Sequence, residues 1–312
     1  MVWSGENALR YSRNLLVEEL GERGQERLFR SSVLVVGAGG LGSPALLYLA
    51  AAGIGRVGVI DGDRVDVTNL NRQVIHAAGD VGRRKTESAA DALKAFRPDL
   101  DVEPYDELLT AWNAVGLFRK YDAVVDGSDN FPTKYLCSDA AVVAGRPLVH
   151  AGVLRFGGQL LTVVPREGPC LRCLIPEIPP RKDSPTCSES GIVGAAAGVV
   201  GAWQAMEAVK LLAGIAPSSP GRRLTVGTPS NVLADKYALV GSARKEGIAA
   251  VKPGVLIGEA CAAIDKVLSA EGYAQYCKPP YIRRRGHGLG FGSMLPGDVA
   301  TDNPIVLEPD MF

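Results

Sequence analysis

Short runs of β-branched and other apolar residues alternate with longer helix-like segments through the first half of the chain. The first run, Ser-Val-Leu-Val-Val at residues 32–36, is typical of a strand buried on both faces. Further strands are predicted at residues 57–61, 101–105, 122–126 and 147–150, and helices at 41–52, 85–96, 111–118 and 132–144. This βαβ rhythm predicts a Rossmann-like α/β fold: a mostly parallel, doubly wound sheet with helices on both faces, preceded by an N-terminal helical segment.

The pattern changes after this alternation. Residues 158–164 predict another strand, and residues 165–190, which are dense in Pro, Cys and charge, predict a long crossover loop. A helix is predicted over 192–212. Three of its residues offer a smooth face for close packing on the sheet, namely Gly194, Gly198 and Gly201.

A composition shift near residue 228 suggests a second part of the chain. Two helices are predicted within 235–271, broken at 251–254, and the remainder is rich in loops. We therefore expect a main domain over 1–228, a linker at 229–236 and a short helical and loop-rich appendage over 237–312.

Composition narrows the class of protein. The 312 residues carry 34 Lys and Arg against 34 Asp and Glu, and this balance argues against a non-specific nucleic-acid binder. The uncharged segment 191–206 is dense in Gly and Ala and is shorter than the roughly 20 residues of a membrane span. The N-terminus lacks the apolar segment of a signal peptide, and the six irregularly spaced cysteines do not resemble a secreted disulfide framework. We expect a soluble, cytoplasmic protein without a nucleic-acid or membrane partner.

A glycine-rich turn follows the first predicted strand and opens the next helix. It contains Gly37, Gly39, Gly40 and Gly42, and Asp61 ends the following strand. Such a turn lets phosphates approach the backbone at a helix N-terminus, while the acid binds a ribose hydroxyl. The motif predicts an adenine nucleotide. It leaves open a nicotinamide-dependent dehydrogenase, and also a turn that merely packs helix against strand.

Polar residues farther along the chain favour adenylyl transfer over hydride transfer. Asn69, Arg72 and Lys85 follow Asp61, and Asp129 comes directly after the fourth strand. A hydride-transfer enzyme has no obvious use for Arg, Lys and a second Asp around one phosphate. An adenylyl-transfer enzyme does, because negative charge accumulates on the α-phosphate and on the departing pyrophosphate.

With these motifs in place, residues 10–226 resemble the ThiF/MoeB/HesA family of ubiquitin-activating-like adenylyltransferases. The resemblance implies ATP-dependent adenylation of the C-terminal Gly-Gly carboxylate of a small β-grasp sulfur-carrier protein, in thiamine, molybdopterin or related biosynthesis. It also implies a homodimer and a sulfurtransferase or cysteine desulfurase partner. The matching segments are 69–73, Lys85, 129–130, 169–173, 186–187 and 204–210.

The resemblance also implies roles for individual residues. Nucleotide contacts are implied for the four loop glycines and for Asp61, Asn69, Arg72, Lys85, Asp129 and Asn130. Asp129 would also hold Mg²⁺, and Arg13 resembles an arginine that reaches the neighbouring subunit's site. The residue types alone leave other readings open, since a lone Arg or Lys is often a solvated charge and Asp129-Asn130 could be a helix N-cap.

The cysteines raise two further possibilities. Cys187 precedes a predicted helix, where a lowered pKa favours a nucleophilic thiolate; an unreactive loop thiol is the alternative. Cys170 and Cys173 have the spacing of half a tetrahedral zinc site; a pair of reduced thiols in a loop is the alternative. The family's second Cys-x-x-Cys is missing, since only the widely separated Cys261 and Cys277 follow.

The tail from residue 237 resembles a truncated creatinase/aminopeptidase P-type metallopeptidase. The matching segments are 247–254, 285–290 and 306–312. Of that family's two Asp, one His and two Glu ligands, only His287 has a counterpart, so we expect no dinuclear metal site and no peptidase activity. A non-catalytic scaffold built on the adenylyltransferase fold is a third hypothesis beside the two enzymes.

Overall fold

The computed structural model describes residues 5–178, 191–216, 231–252 and 254–277. The chain divides into two compact units, Met1–Gly227 and Thr228–Phe312.

In its described residues, the first unit is built on a six-stranded sheet. Its strands are β1 Ser32–Val36, β2 Arg56–Ile60, β3 Asp101–Tyr105, β4 Ala123–Asp126, β5 Leu148–Leu154 and β6 Gly157–Val163. They lie in the order β3-β2-β1-β4-β5-β6, and only the β5–β6 pair is antiparallel. This is the strand order of a doubly wound fold, so the predicted fold class is confirmed.

Helices cover both faces of the sheet. They are α1 Gly5–Arg10, α2 Ser12–Leu15, α3 Gly21–Arg30, α4 Gly42–Ala52, α5 Lys85–Phe96, α6 Ala114–Phe118, α7 Phe131–Ala144, α8 Leu171–Leu174 and α9 Gly194–Ala213. Side chains alternate across β1: Val33 and Val35 enter one core, with α4, α5 and α9. Leu34 and Val36 enter the other, with α6 and α7. The buried central strand therefore holds both layers together.

Two local expectations differ from the structure. The strand predicted at 147–150 continues to Leu154, because a two-residue turn containing Arg155 returns the chain along β6. On α9, Gly194 and Gly201 make close contacts, but a Cβ atom on Gly198 would meet no described residue within 4 Å. The expectation that all three glycines serve close packing is therefore wrong at Gly198.

In the second unit, α10 Asn231–Ala250 packs against α11 Ile257–Ala270. The helices approach closely at Gly247, where a Cβ atom would clash with the side chain of Ile264. The predicted break at 251–254 is confirmed. Across the described ranges, no helix combines the length and apolar character that crossing a bilayer requires.

Candidate active site

The glycine turn after β1 meets the loop after β4 at the point where the strand order reverses. A Cβ atom on Gly37 would lie 3.2 Å from the carbonyl oxygen of Gly127, and one on Gly127 would lie 3.1 Å from that of Gly37. In open α/β sheets, ligands bind in the crevice outside the strand ends at this reversal. The two sequence motifs therefore share the expected ligand crevice.

The four motif glycines differ in their roles: two of them shape the turn, and two have N–H groups without an acceptor in the described part of the chain. Gly37 adopts a φ of +89°, and a Cβ on Gly42 would overlap the carbonyl oxygen of Gly37, so these two shape the turn. Gly39 and Gly40 have no comparable clash. Among the residues that the structure describes, the N–H groups of Gly39, Gly40 and Leu41 have no hydrogen-bond acceptor. The start of α4 thus has the free donors that a phosphate requires.

Hydrogen bonds hold the backbone of Ala38 at both its N–H group and its carbonyl oxygen. Asp61 accepts hydrogen bonds from the N–H groups of Ala38 (2.9 Å) and Asp63 (2.8 Å). His76 Nε2 lies 3.0 Å from the carbonyl oxygen of Ala38, and Nδ1 lies 2.7 Å from the Ser88 hydroxyl. Burial lowers the pKa of His76, so the ring is neutral at pH 7 and donates from Nε2 to this carbonyl. In the structure, Asp61 therefore holds the turn that the nucleotide would contact.

Lys85 is the cation most enclosed near the turn. It begins α5, its side chain is 7% exposed, and Nζ lies 2.9 Å from the exposed carboxylate of Asp63. Burial is the main cause of the lowered pKa of His76, and the positive charge of Lys85 lowers this pKa further. Because Asp63 is exposed, a phosphate could compete for this ammonium group.

Arg72 forms the wall opposite the turn. Its Cγ would lie 3.5 Å from a Cβ on Gly40, and its Nη1 donates to Thr68 O (2.8 Å) and Asn71 Oδ1 (3.0 Å). The start of α9 supports this wall, since a side chain on Gly194 would overlap the carbonyl oxygen of Asn71. The structure thus brings Arg72 to the glycine turn.

The predicted asparagines both shape loops. Asn130 Oδ1 accepts from the N–H of Thr133 at 2.9 Å, so Asn130 is the N-cap of α7, the alternative that the sequence left open. Asn69 accepts from the N–H of Asp66 at 3.2 Å and closes a short 3₁₀ turn. Asp129 is exposed beside the cap and offers its carboxylate to solvent.

A buried polar cluster lies behind the loop after β4, and the sequence analysis missed it. The Asp126 carboxylate accepts from His150 Nδ1 (2.7 Å) and from the N–H of Ser128 (3.0 Å), with Lys134 Nζ at 3.8 Å. Burial opposes ionisation, but the Lys134 charge and the hydrogen bonds outweigh it and hold the pKa of Asp126 well below its usual range. His150 ends a predicted strand, and that position was the available signal.

Other predicted residues lie apart from these contacts. Arg13 is exposed on α2 and bonds to no residue that the structure describes. Cys187 and His287 lie outside the described residues. The sulfur atoms of Cys170 and Cys173 are 3.5 Å apart, a fit for two of four zinc ligands. No group of three or more His, Cys, Asp or Glu side chains suited to a metal occurs within the described ranges.

Comparison with known proteins decides the family. A model of the ThiF family matches residues 11–237. The chain belongs to the ThiF family. A model of metallopeptidase family M24 matches residues 218–312, which confirms the second resemblance.

Curated relatives of this ThiF-family chain have consistent names. The sulfur carrier protein adenylyltransferase of Thermus thermophilus is 48% identical, over 72% of this chain and 84% of the relative. The SAMP-activating enzyme E1 of Haloferax volcanii is 47% identical, over 69% and 79%. The adenylyltransferase and sulfurtransferase MOCS3 of Bos taurus is 50% identical over 71% of this chain, which spans only 49% of that relative.

Solved structures support the same fold. The crystal structure of Escherichia coli MccB with MccA-N7isoASN has a TM-score of 0.63 at 24% identity, covering 72% of this chain and 70% of that one. MccB with ATP has a TM-score of 0.62 at 24% identity, covering 70% and 68%. At this identity, the likeness establishes the ThiF-type architecture alone.

Proposed function

We propose that this chain is an ATP-dependent adenylyltransferase that activates the C-terminal Gly-Gly carboxylate of a ubiquitin-like sulfur-carrier protein. The observation that carries the proposal is the set of unbonded N–H donors at the start of α4, with Arg72 opposite them. Lys85 adds a second cation near the turn, and the curated relatives are named for this activity. We further propose that the protein is a cytoplasmic homodimer and that a sulfurtransferase or cysteine desulfurase is its partner.

The reaction is an in-line displacement at phosphorus. A carboxylate oxygen of the carrier bonds to the α-phosphorus, the bond to the bridging oxygen breaks, and pyrophosphate leaves with that electron pair. A C-terminal carboxyl group has a reference pKa of about 3.5 and is ionised at neutral pH, so no general base is required. The site therefore has to bind ATP and the carrier's C-terminus, orient them for the displacement and neutralise the negative charge of the phosphates.

The chain's own groups meet these requirements. The N–H groups of Gly39, Gly40 and Leu41 bind phosphate oxygens, and Arg72 and Lys85 stabilise the charge that moves onto pyrophosphate. Asp129 is the exposed carboxylate that would hold Mg²⁺, which supplies charge neutralisation when bound. Asp61 and His76 keep the turn in place during the reaction.

Exchange of labelled pyrophosphate into ATP tests the proposal. The protein is incubated with ATP, Mg²⁺ and a panel of β-grasp carriers ending in Gly-Gly, each paired with a version lacking the last two glycines. We expect exchange with at least one complete carrier and none with its shortened form. Binding of NAD(P)H without any carrier-dependent exchange would favour an oxidoreductase instead.

A further inference from the structure

The side chain of Gln73 is buried beside the glycine turn, without a hydrogen-bond partner among the described residues. Only 4% of the residue is exposed, and its Oε1 is enclosed without a donor. Nε2 likewise makes no hydrogen bond to any residue in the described part of the chain. Buried amide groups in folded proteins nearly always have partners, so this one calls for an explanation.

The position of the amide provides that explanation. Among the residues that the structure describes, Gln73 Nε2 is the sole atom within 4 Å of the place where a Cβ on Gly39 would lie, at 3.7 Å. The preceding residue, Arg72, occupies the equivalent place over Gly40 at 3.5 Å. Two consecutive side chains thus face two consecutive glycines, and both neighbour the unbonded N–H groups.

A second buried glutamine, Gln204, also has its Oε1 enclosed without a donor, but it differs from Gln73 at the amide nitrogen. Gln204 is fully buried on α9, and its Nε2 donates to Asp126 O (2.8 Å) and Val149 O (3.0 Å), which joins β4 to β5. That amide contributes to the fold. Gln73 has no such bonds, and a leucine of similar size would avoid the cost of burying an unpaired amide.

We infer that Gln73 is a phosphate-binding residue of the nucleotide site. Its Nε2 donates a hydrogen bond to a phosphate oxygen of ATP held over Gly39, and this charge-assisted bond gives the amide nitrogen the partner that it lacks. The inference rests on the proposed function, because it requires a nucleotide at this turn. It adds a neutral donor to a site otherwise described by backbone N–H groups and two cations.

The test separates binding from folding. Gln73→Leu and, as a second variant, Gln73→Met remove the donor at nearly constant volume. The Kd for ATP with Mg²⁺ is measured by calorimetry, and the melting temperature is measured without nucleotide. We expect ATP affinity to fall about 10- to 100-fold while the melting temperature stays at or above that of the wild type.

Gln204→Leu is the matched control, since it removes an amide whose nitrogen has two hydrogen-bond partners. Its melting temperature should fall by several degrees, opposite in sign to the Gln73 variants. Adenosine, which lacks phosphate, should bind the wild type and Gln73→Leu equally.

The outcomes are distinguishable. If the wild type fails to bind ATP, the proposed function itself fails. If the wild type binds ATP but both Gln73 variants bind it within twofold, the inference alone is overturned. A melting temperature lowered in both Gln73 variants would also overturn it, because Gln73 would then support the fold.

Discussion

Lys134 Nζ donates a 2.6 Å hydrogen bond to the carbonyl oxygen of Ser128, and so ties α7 to the loop that carries Asp129. A second bond of the same length reaches Ala151 O on β5. Since Asp126 is fully buried, Lys134 is also the nearby charge that keeps this carboxylate ionised.

Replacing Lys134 by methionine should therefore damage the fold. The Asp126 carboxylate would stay buried without its cation, and such losses cost about 3 to 5 kcal/mol in the free energy of unfolding. Urea denaturation measures the change. Lys120→Met is the control, because Lys120 is exposed and its loss should cost about 0.5 kcal/mol or less. Equal effects of the two substitutions would contradict the role given to Lys134.

The second prediction concerns Lys85. Because its ammonium group is enclosed near the turn, Lys85→Ala should lower carrier-dependent pyrophosphate exchange by about 10²- to 10³-fold. Lys94→Ala is a control on the same helix, since Lys94 is exposed. The assignment fails if Lys85→Ala retains exchange comparable to that of Lys94→Ala.

Two glycines should respond differently to alanine. Within the described part of the chain, a methyl group on Gly39 meets only Gln73 Nε2, at an ordinary contact distance, so Gly39→Ala should fold normally and bind ATP at least about tenfold more weakly. A methyl group on Gly42 overlaps the backbone of Gly37, so Gly42→Ala should lower the melting temperature. Melting curves with and without ATP separate the two effects, and a stable Gly42→Ala would show that the turn can rearrange.

Acid should loosen the turn through His76. Burial lowers its folded-state pKa below the unfolded value of about 6.5, so the unfolded chain binds the extra proton first. The stability due to neutral His76 is complete above that pH and is lost as the pH falls toward the folded-state pKa. Unfolding free energies at pH 7 and pH 5 should differ less in His76→Gln than in the wild type. An identical pH dependence would exclude His76 as the responsible group.

The proposed homodimer leads to a complementation experiment. If Arg13 completes the neighbouring subunit's site, Arg13→Ala and Lys85→Ala should each be impaired alone. Mixing and reassembling them gives heterodimers with one intact site and one doubly damaged site, so exchange activity should partly return. An active wild-type protein that sediments as a monomer would rule out the shared site.

The sheet and the glycine turn could be predicted because their signals are local. Runs such as residues 32–36 identify buried strands, and a turn that needs Gly37 and Gly42 leaves a recognisable spacing. The extension of β5 to Leu154 could not be predicted in this way, because it depends on pairing with β6. Residues 151–154 contain no strong strand pattern of their own.

The polar core could not be predicted for a related reason. Lys134 lies in a helix segment where a charged residue usually faces water, and its burial follows from where α7 packs. His150 gave no sign of its partner, since Asp126 comes from a different strand. Gln73 stood inside a recognised motif, but only the three-dimensional structure shows that its amide lacks partners.

The central pairing of β1 with β4 has a consequence for how the protein is made. β1 ends at Val36, whereas β4 begins only at Ala123, and the crevice lies between the loops that follow them. All four strands from β1 to β4 must therefore have left the ribosome before the complete nucleotide site can form. Such non-local pairing slows folding. We expect ATP to stabilise nascent chains only after the loop containing Asp129 has emerged.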